Sequence, residues 1–190
     1  VVRAAAGLFG ATSCARCGSR VLLLRQQRAL DLSGRALGTL LARQGPRNGV
    51  HAIGLSQRRL ERGAQVGPHA HLQGPLIVGT DSIVLPQAVI GSHTAAENNC
   101  KLGGEISCSI ISAYSNKAHF GFLGHSYLGS WVNLGAGTTN SNLKNTYGEI
   151  NLENGGQRIA TGMQFLGCLI GDYSKTAIGT NIFTGKMVGA

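Results

Sequence analysis

The sequence predicts an all-β fold, a parallel β-helix wound from six-residue repeats, and two observations carry that prediction. Aliphatic residues recur at every sixth position: Leu60, Val66, Leu72, Val78, Val84, Ile90 and, after a lapse at Ala96, Leu102. That period matches neither the turn of a helix nor the alternation of a two-sided strand. The residues four places further on in each unit are small, at Ala64, Ala70, Ser82, Ala88 and Thr94, with Leu76 as the exception. A narrow triangular interior explains both, because one branched aliphatic fills each flat and only a small side chain fits each corner. Burying each aliphatic contributes about 1.5–3 kcal/mol. The composition agrees: 29 glycines and 43% apolar residues, with only 5 Phe and 1 Trp, favour turns and small aliphatics over aromatic layers.

Residues 1–59 form an Arg-rich segment with no six-residue period. Leu30 to Arg43 places Leu37, Leu40 and Leu41 on one side of a short helix, which Gly34 and Gly38 weaken. An Arg-rich, acid-poor start has the composition of a transit peptide, and a linker or a domain remnant fits it equally well. The repeat domain is expected over 60–190. Its phase slips by two after Cys108, since Ile110 rather than Cys108 lies twelve residues before Phe122. Phe122, Leu128 and Leu134 then continue the column. An insertion is expected at about 143–169, where Glu149-Ile-Asn-Leu and Gln157-Arg-Ile read as a hairpin. The period returns at Ile170, Thr176, Ile182 and Val188, and the sequence is expected to stop in mid-repeat, without a terminal cap.

The net charge of +9 belongs to the first third alone. Residues 1–62 hold eleven arginines against Asp31 and Glu61, whereas residues 63–190 hold six basic and six acidic side chains. A neutral repeat domain offers no electrostatic footprint for nucleic acid. The longest wholly aliphatic run, Val21 to Leu24, is far too short to span a membrane. The cysteines, Cys14, Cys17, Cys100, Cys108 and Cys168, are odd in number and lack framework spacing, which indicates a reducing, cytoplasmic compartment. Cys100 and Cys108 are expected as buried thiols. Cys14-Ala-Arg-Cys17 is a lone CxxC without a second pair.

The stretch from Ser115 to Tyr147 carries the chemistry. His119 lies three residues before Phe122, so it is expected to point out of the prism. A histidine titrating near neutrality can act as a general base. The run NKAHFGFLGHSYLGSWVNLGAGTTNSNLKNTYG, followed by RIATGMQFLGCLIGDYSKTAIGTNIFTGKMVGA, resembles the C-terminal part of the bifunctional sugar-1-phosphate nucleotidylyltransferase/acetyltransferases. These include N-acetylglucosamine-1-phosphate uridyltransferase/glucosamine-1-phosphate acetyltransferases.

The resemblance implies a left-handed β-helix, an exception to the right-handed crossover rule. It also implies a homotrimer that binds acetyl-CoA between neighbours and acetylates an amino-sugar 1-phosphate. In that reading His119 is the general base, and Asn133, Asn142, Lys144 and Phe122 meet the sugar phosphate. Gly135, Ala136 and Gly137 let the thioester approach. Magnesium would serve only a nucleotidyltransferase domain, whose glycine-rich LxxGxGxR start is not found in this sequence.

Other readings of these residues stand beside the resemblance. Lys144 fits a phosphate contact or a solvated surface, His125 fits a turn or the chemistry, and Asn142 and Asn145 fit turns. Phe122 replaces a tyrosine of many relatives, Ser107 stands where a phosphate-binding lysine is found, and Gly148 and Asn151 align with two further lysines. A non-catalytic trimerising scaffold is therefore the alternative. A zinc enzyme of the carbonic anhydrase type ranks last, because His93, His119 and His125 are not spaced for it.

Overall fold

The computed structural model describes residues 51–53, 57–154 and 156–189. The Leu30–Arg43 helix and the Cys14/Cys17 pair lie outside the described residues. No helix occurs among the described residues, which form a parallel β-solenoid.

Its first face stacks β1 (His51–Ile53), β4 (His71–Gln73), β7 (Val89–Ile90), β10 (Glu105–Ser107) and β13 (Phe122–Gly124). The second stacks seven strands: β2 (Arg58–Leu60), β5 (Leu76–Val78), β8 (Thr94–Ala96), β11 (Ile110–Ile111), β14 (Tyr127–Leu128), β18 (Leu169–Ile170) and β20 (Met187–Val188). The third stacks β3 (Gln65–Val66), β6 (Ile83–Val84), β9 (Lys101–Leu102) and β12 (Asn116–Lys117), and bridges through Asn133 and Lys175 extend it. Further along, β15 (Thr139–Asn140) pairs with β19 (Asn181–Ile182).

The interior follows the predicted chemistry. Leu72, Val78, Val84, Ile90 and Leu102 are all buried, and so is Ala96, which continues the column instead of interrupting it. At the corners, small hydroxyls do more than fit. Ser82 donates to Glu97 O at 2.7 Å and accepts from Cys100 N, while Ser115 donates to Gly129 O and accepts from Val132 N. Each serine thus satisfies corner backbone that strand pairing cannot reach.

The phase slip differs from the sequence expectation in place and in kind. Early coils repeat at eighteen residues, pairing Arg58 with Leu76 and Leu76 with Thr94. The next coil is shorter, pairing Ala95 with Ile110. The loss begins at Gly103–Gly104, before Cys108. A Cβ on Gly103 would lie 2.1 Å from Ala118 O, and Gly104 has φ +66°, so only glycine makes so tight a corner.

From there the inward residues are Ile106, Ile111, Leu123 and Leu128. Cys108 instead turns at φ 47° and is half-buried, Ile110 is half-buried, and Phe122 lies outside the column that Leu123 fills. Five-residue steps from Ile106 to Ile111 and from Leu123 to Leu128 exchange the facing neighbour each time. Cys100 and Cys168 are buried.

The expected hairpin is present. β16 (Ile150–Asn154) and β17 (Gln157–Met163) pair antiparallel, with Leu152 opposite Ile159. Ile150, Met163 and Leu166 form a small core of their own, with Leu152 packed against it.

Ile111→Ala is expected to cost about 2–5 kcal/mol in denaturant unfolding, because the narrow column cannot collapse around the void. With Cys14 and Cys17 replaced by serine, native-state thiol labelling is expected to modify Cys108 first, whereas Cys100 and Cys168 react only on unfolding.

Candidate functional site

The corner that joins the third face to the first repeats in every coil, and it holds His119. The loop Ala118–Gly121 stacks between two glycine corners. Beneath it lies Gly103–Gly104, in contact through Ala118 O and His119 O. Above it lies Gly135–Gly137: Gly137 N donates to Phe120 O at 3.1 Å, and a Cβ on Gly121 would lie 2.2 Å from Thr138 O. His119 is exposed, as expected, although Leu123 rather than Phe122 sets the inward phase behind it. The structure therefore sets the loop that carries His119 against the Gly135-Ala136-Gly137 corner, through Phe120 and Gly121. Phe120, 73% exposed, lies against Gly137, and Ile178, 80% exposed, occupies the corner above.

A second group forms around Gly124. A Cβ there would meet Phe122 Cζ at 2.2 Å and Asn142 Nδ2 at 3.0 Å, so the Phe122 ring lies over the glycine beside the amide. Asn142 Nδ2 is 2.9 Å from His125 Nδ1. An amide nitrogen only donates, so Nδ1 accepts and the imidazole proton sits on Nε2. That Nε2 is buried without a partner among the described residues, as is His93 Nδ1. Phe165 stacks on His125 with centroids 5.4 Å apart. Burial lowers the pKa of His125, with a smaller contribution from His93, and burial also lowers His93.

The remaining predicted residues stand apart. Asn133 is exposed on the third face, bridged to Asn116 on one side and Lys175 on the other. Lys144 donates to Glu149 O at 2.5 Å at the base of the hairpin. Two participants were not read from the sequence. Phe165 follows the hairpin's return strand and is bridged to Leu143. Lys117 is 1% exposed and donates to Gly103 O at 3.1 Å and to His119 O at 2.6 Å. Its signal was present: Lys117 falls midway between Ile111 and Leu123, six residues from each. Among the described residues no group of three or more His, Cys, Asp or Glu is placed to hold a metal ion. No helix among them is long and apolar enough to cross a membrane.

No family model matches the chain. A bifunctional sugar-1-phosphate nucleotidylyltransferase/acetyltransferase from Sulfurisphaera tokodaii is 32% identical over 107 residues, which is 55% of this chain and 27% of that protein. The bifunctional protein GlmU of Rippkaea orientalis is 36% identical over 90 residues, 46% of this chain and 16% of that protein. GlmU of Ralstonia pickettii is 32% identical over 107 residues, covering 55% and 23%. The chain resembles the bifunctional sugar-1-phosphate nucleotidylyltransferase/acetyltransferases over about half its length. It spans about a quarter or less of the curated relatives it matches.

The two half-buried histidines, His93 and His125, make stability depend on pH. With folded pKa values below the ordinary 6.5, the unfolded chain binds more protons between the two values. Their contribution is complete above the ordinary value and is lost as pH falls through the folded one. The melting temperature is expected to fall on acidification from neutrality. His93→Asn, whose side chain tolerates the φ of 59°, is expected to flatten that fall.

Proposed function

We propose that this chain is the acetyl-transfer part of an acetyl-CoA-dependent amino-sugar 1-phosphate N-acetyltransferase, within a bifunctional enzyme of nucleotide-sugar biosynthesis. The observation that carries the reading is the exposed His119, held on a loop that lies against the small-residue corner Gly135-Ala136-Gly137. His119 takes the proton of the acceptor nitrogen as that nitrogen forms a bond to the thioester carbonyl. The C–S bond then breaks, and CoA leaves as the thiol after protonation.

Gly135 and Gly137 spend their amides on Thr176 Oγ1 and Phe120 O, so what they offer the thioester arm is close approach to backbone that carries no side chain. Phe122 presents a ring face to the sugar. Asn142, whose amide nitrogen is spent on His125, leaves Oδ1 to accept a hydrogen bond from the acceptor. Asn133 contributes a polar contact from the third face. Lys144 supplies charge for the phosphate once it exchanges the Glu149 carbonyl for it.

Exposed Phe120 and Ile178 at the same corner support a homotrimer in which a second copy covers them and completes the acetyl-CoA groove. No nucleic acid or membrane enters this reading, and its setting is the cytoplasm. Magnesium would be needed only by a nucleotidyltransferase domain outside this chain.

The scaffold alternative has one specific observation in its favour: the Lys144 ammonium is already bonded within the hairpin base. Free CoA thiol released from acetyl-CoA, with glucosamine-1-phosphate or galactosamine-1-phosphate as acceptor, separates the readings. Acceptor-dependent release is expected, and His119→Ala is expected to lower kcat about 10²–10⁴-fold. A trimer in light scattering that releases no thiol would leave the scaffold.

A further inference from the structure

We propose that Lys117 is a positioning residue for His119, its ammonium serving as the internal strut that fixes the corner loop on which His119 is carried. The proposal rests on the acetyl-transfer reading for its consequence in catalysis, but not for its geometry.

From Leu102 to Leu134 the inward column reads Leu102, Ile106, Ile111, Lys117, Leu123, Leu128 and Leu134. One lysine thus stands where every neighbour is aliphatic. Its methylene stem fills the column as a leucine would, and only the head group is costly there. That head turns into the corner and donates to the carbonyls of Gly103 and His119, on successive coils.

A mismatch between those coils explains the need. The lower corner has two residues between Leu102 and Glu105, whereas the upper has four between Lys117 and Phe122. Strand pairing resumes on either side, through Gly103 N to Lys117 O and Glu105 N to Gly121 O. The longer loop is left with a carbonyl, that of His119, which no amide of the coil beneath reaches. Lys117 Nζ supplies the missing donor, and among the described residues no other hydrogen bond reaches either carbonyl. A column chosen for stability alone would hold an aliphatic here.

Burial takes the ammonium from its ordinary 10.5 down to about 8. The bonded partners are carbonyls. The titratable groups nearest in sequence to the corner, Lys101, Glu105 and His119, are all exposed. Between those two pKa values the unfolded chain keeps a proton that the folded chain has released, so stability rises with pH through that window.

The test compares the whole chain with Lys117→Met. Melting temperature at pH 8 and pH 10, acetyl transfer, and amide hydrogen exchange at 118–121 are measured for both. The variant is expected to stay folded and to lose the rise in melting temperature that Lys117 adds at high pH. Its kcat is expected to fall about tenfold to a hundredfold with the acetyl-CoA KM within about twofold. Exchange is expected to speed up in the loop alone.

Gly104→Ala keeps the column residues but places a Cβ 2.8 Å from the Gly121 and His119 carbonyls and 2.9 Å from Lys117 Nζ, at a φ of +66°, so it displaces the loop and the ammonium together. It is expected to give the same kcat loss. Unchanged kcat, or loss of folding in Lys117→Met with normal kcat in Gly104→Ala, would overturn the proposal. If the wild-type chain transfers no acetyl group, the acetyl-transfer reading fails by itself. Loop exchange then decides the Lys117 proposal: acceleration confined to 118–121 supports it, and an unchanged loop overturns it.

Discussion

Coil-to-coil hydrogen bonding in a narrow prism governs this protein. Each strand is only two or three residues long through most of the solenoid and has no stability of its own. A strand exists because the strand below offers carbonyls in register, so the shape of each corner is imposed by the corner beneath. Glycine is required where two corners differ in length, and Gly103–Gly104 under Ala118–Gly121 is the clearest case. His119 rises from the place where that imposition is incomplete. Regular strands bury their side chains or flatten them against neighbours, whereas a longer loop over a shorter corner projects one.

The fold was legible because the interior is so restrictive. A column that admits one aliphatic every six residues writes its period into the sequence, from Leu60 to Leu102 without ambiguity. The phase beyond was not legible, and the reason lies in particular pairs. Ile110 and Ile111, and Phe122 and Leu123, are adjacent apolar residues, so composition does not say which of each faces inward. The deciding features are a four-residue step from Leu102 to Ile106 and the five-residue steps after it, which a six-residue rule reads as displaced sixes. Cys108 was drawn into the column by the same error, and it turns at the surface instead.

The candidate site was legible where one side chain carries the chemistry and hidden where contacts join distant positions. The exposure of His119 could be read from its spacing, whereas the glycine corner beside its loop was implied by the family resemblance. The Asn142–His125 contact joins the next coil's corner to this one and depends on the shortened step at Gly124. Lys117 was missed because lysine is placed at the surface by default. With Leu123 as the phase marker, its inward position follows at once. Phe165 was beyond reach, since the length of an excursion does not say what its returning strand lays against.

That excursion leaves the solenoid at Asn142 and rejoins it at Leu166, whose amide bonds back to Asn142 O at 3.0 Å. Tyr127 still pairs with Leu169 as though nothing intervened. The two edges of the gap are stitched together, so the hairpin behaves as a cartridge in a closed socket. Its tip projects away from the coils, while its base at Ile150 and Asn151 packs against Gly185 of the coil above. Asn142 and Phe165 sit at the rim of that socket against His125, and what the cartridge changes is therefore felt first by whatever the rim grips.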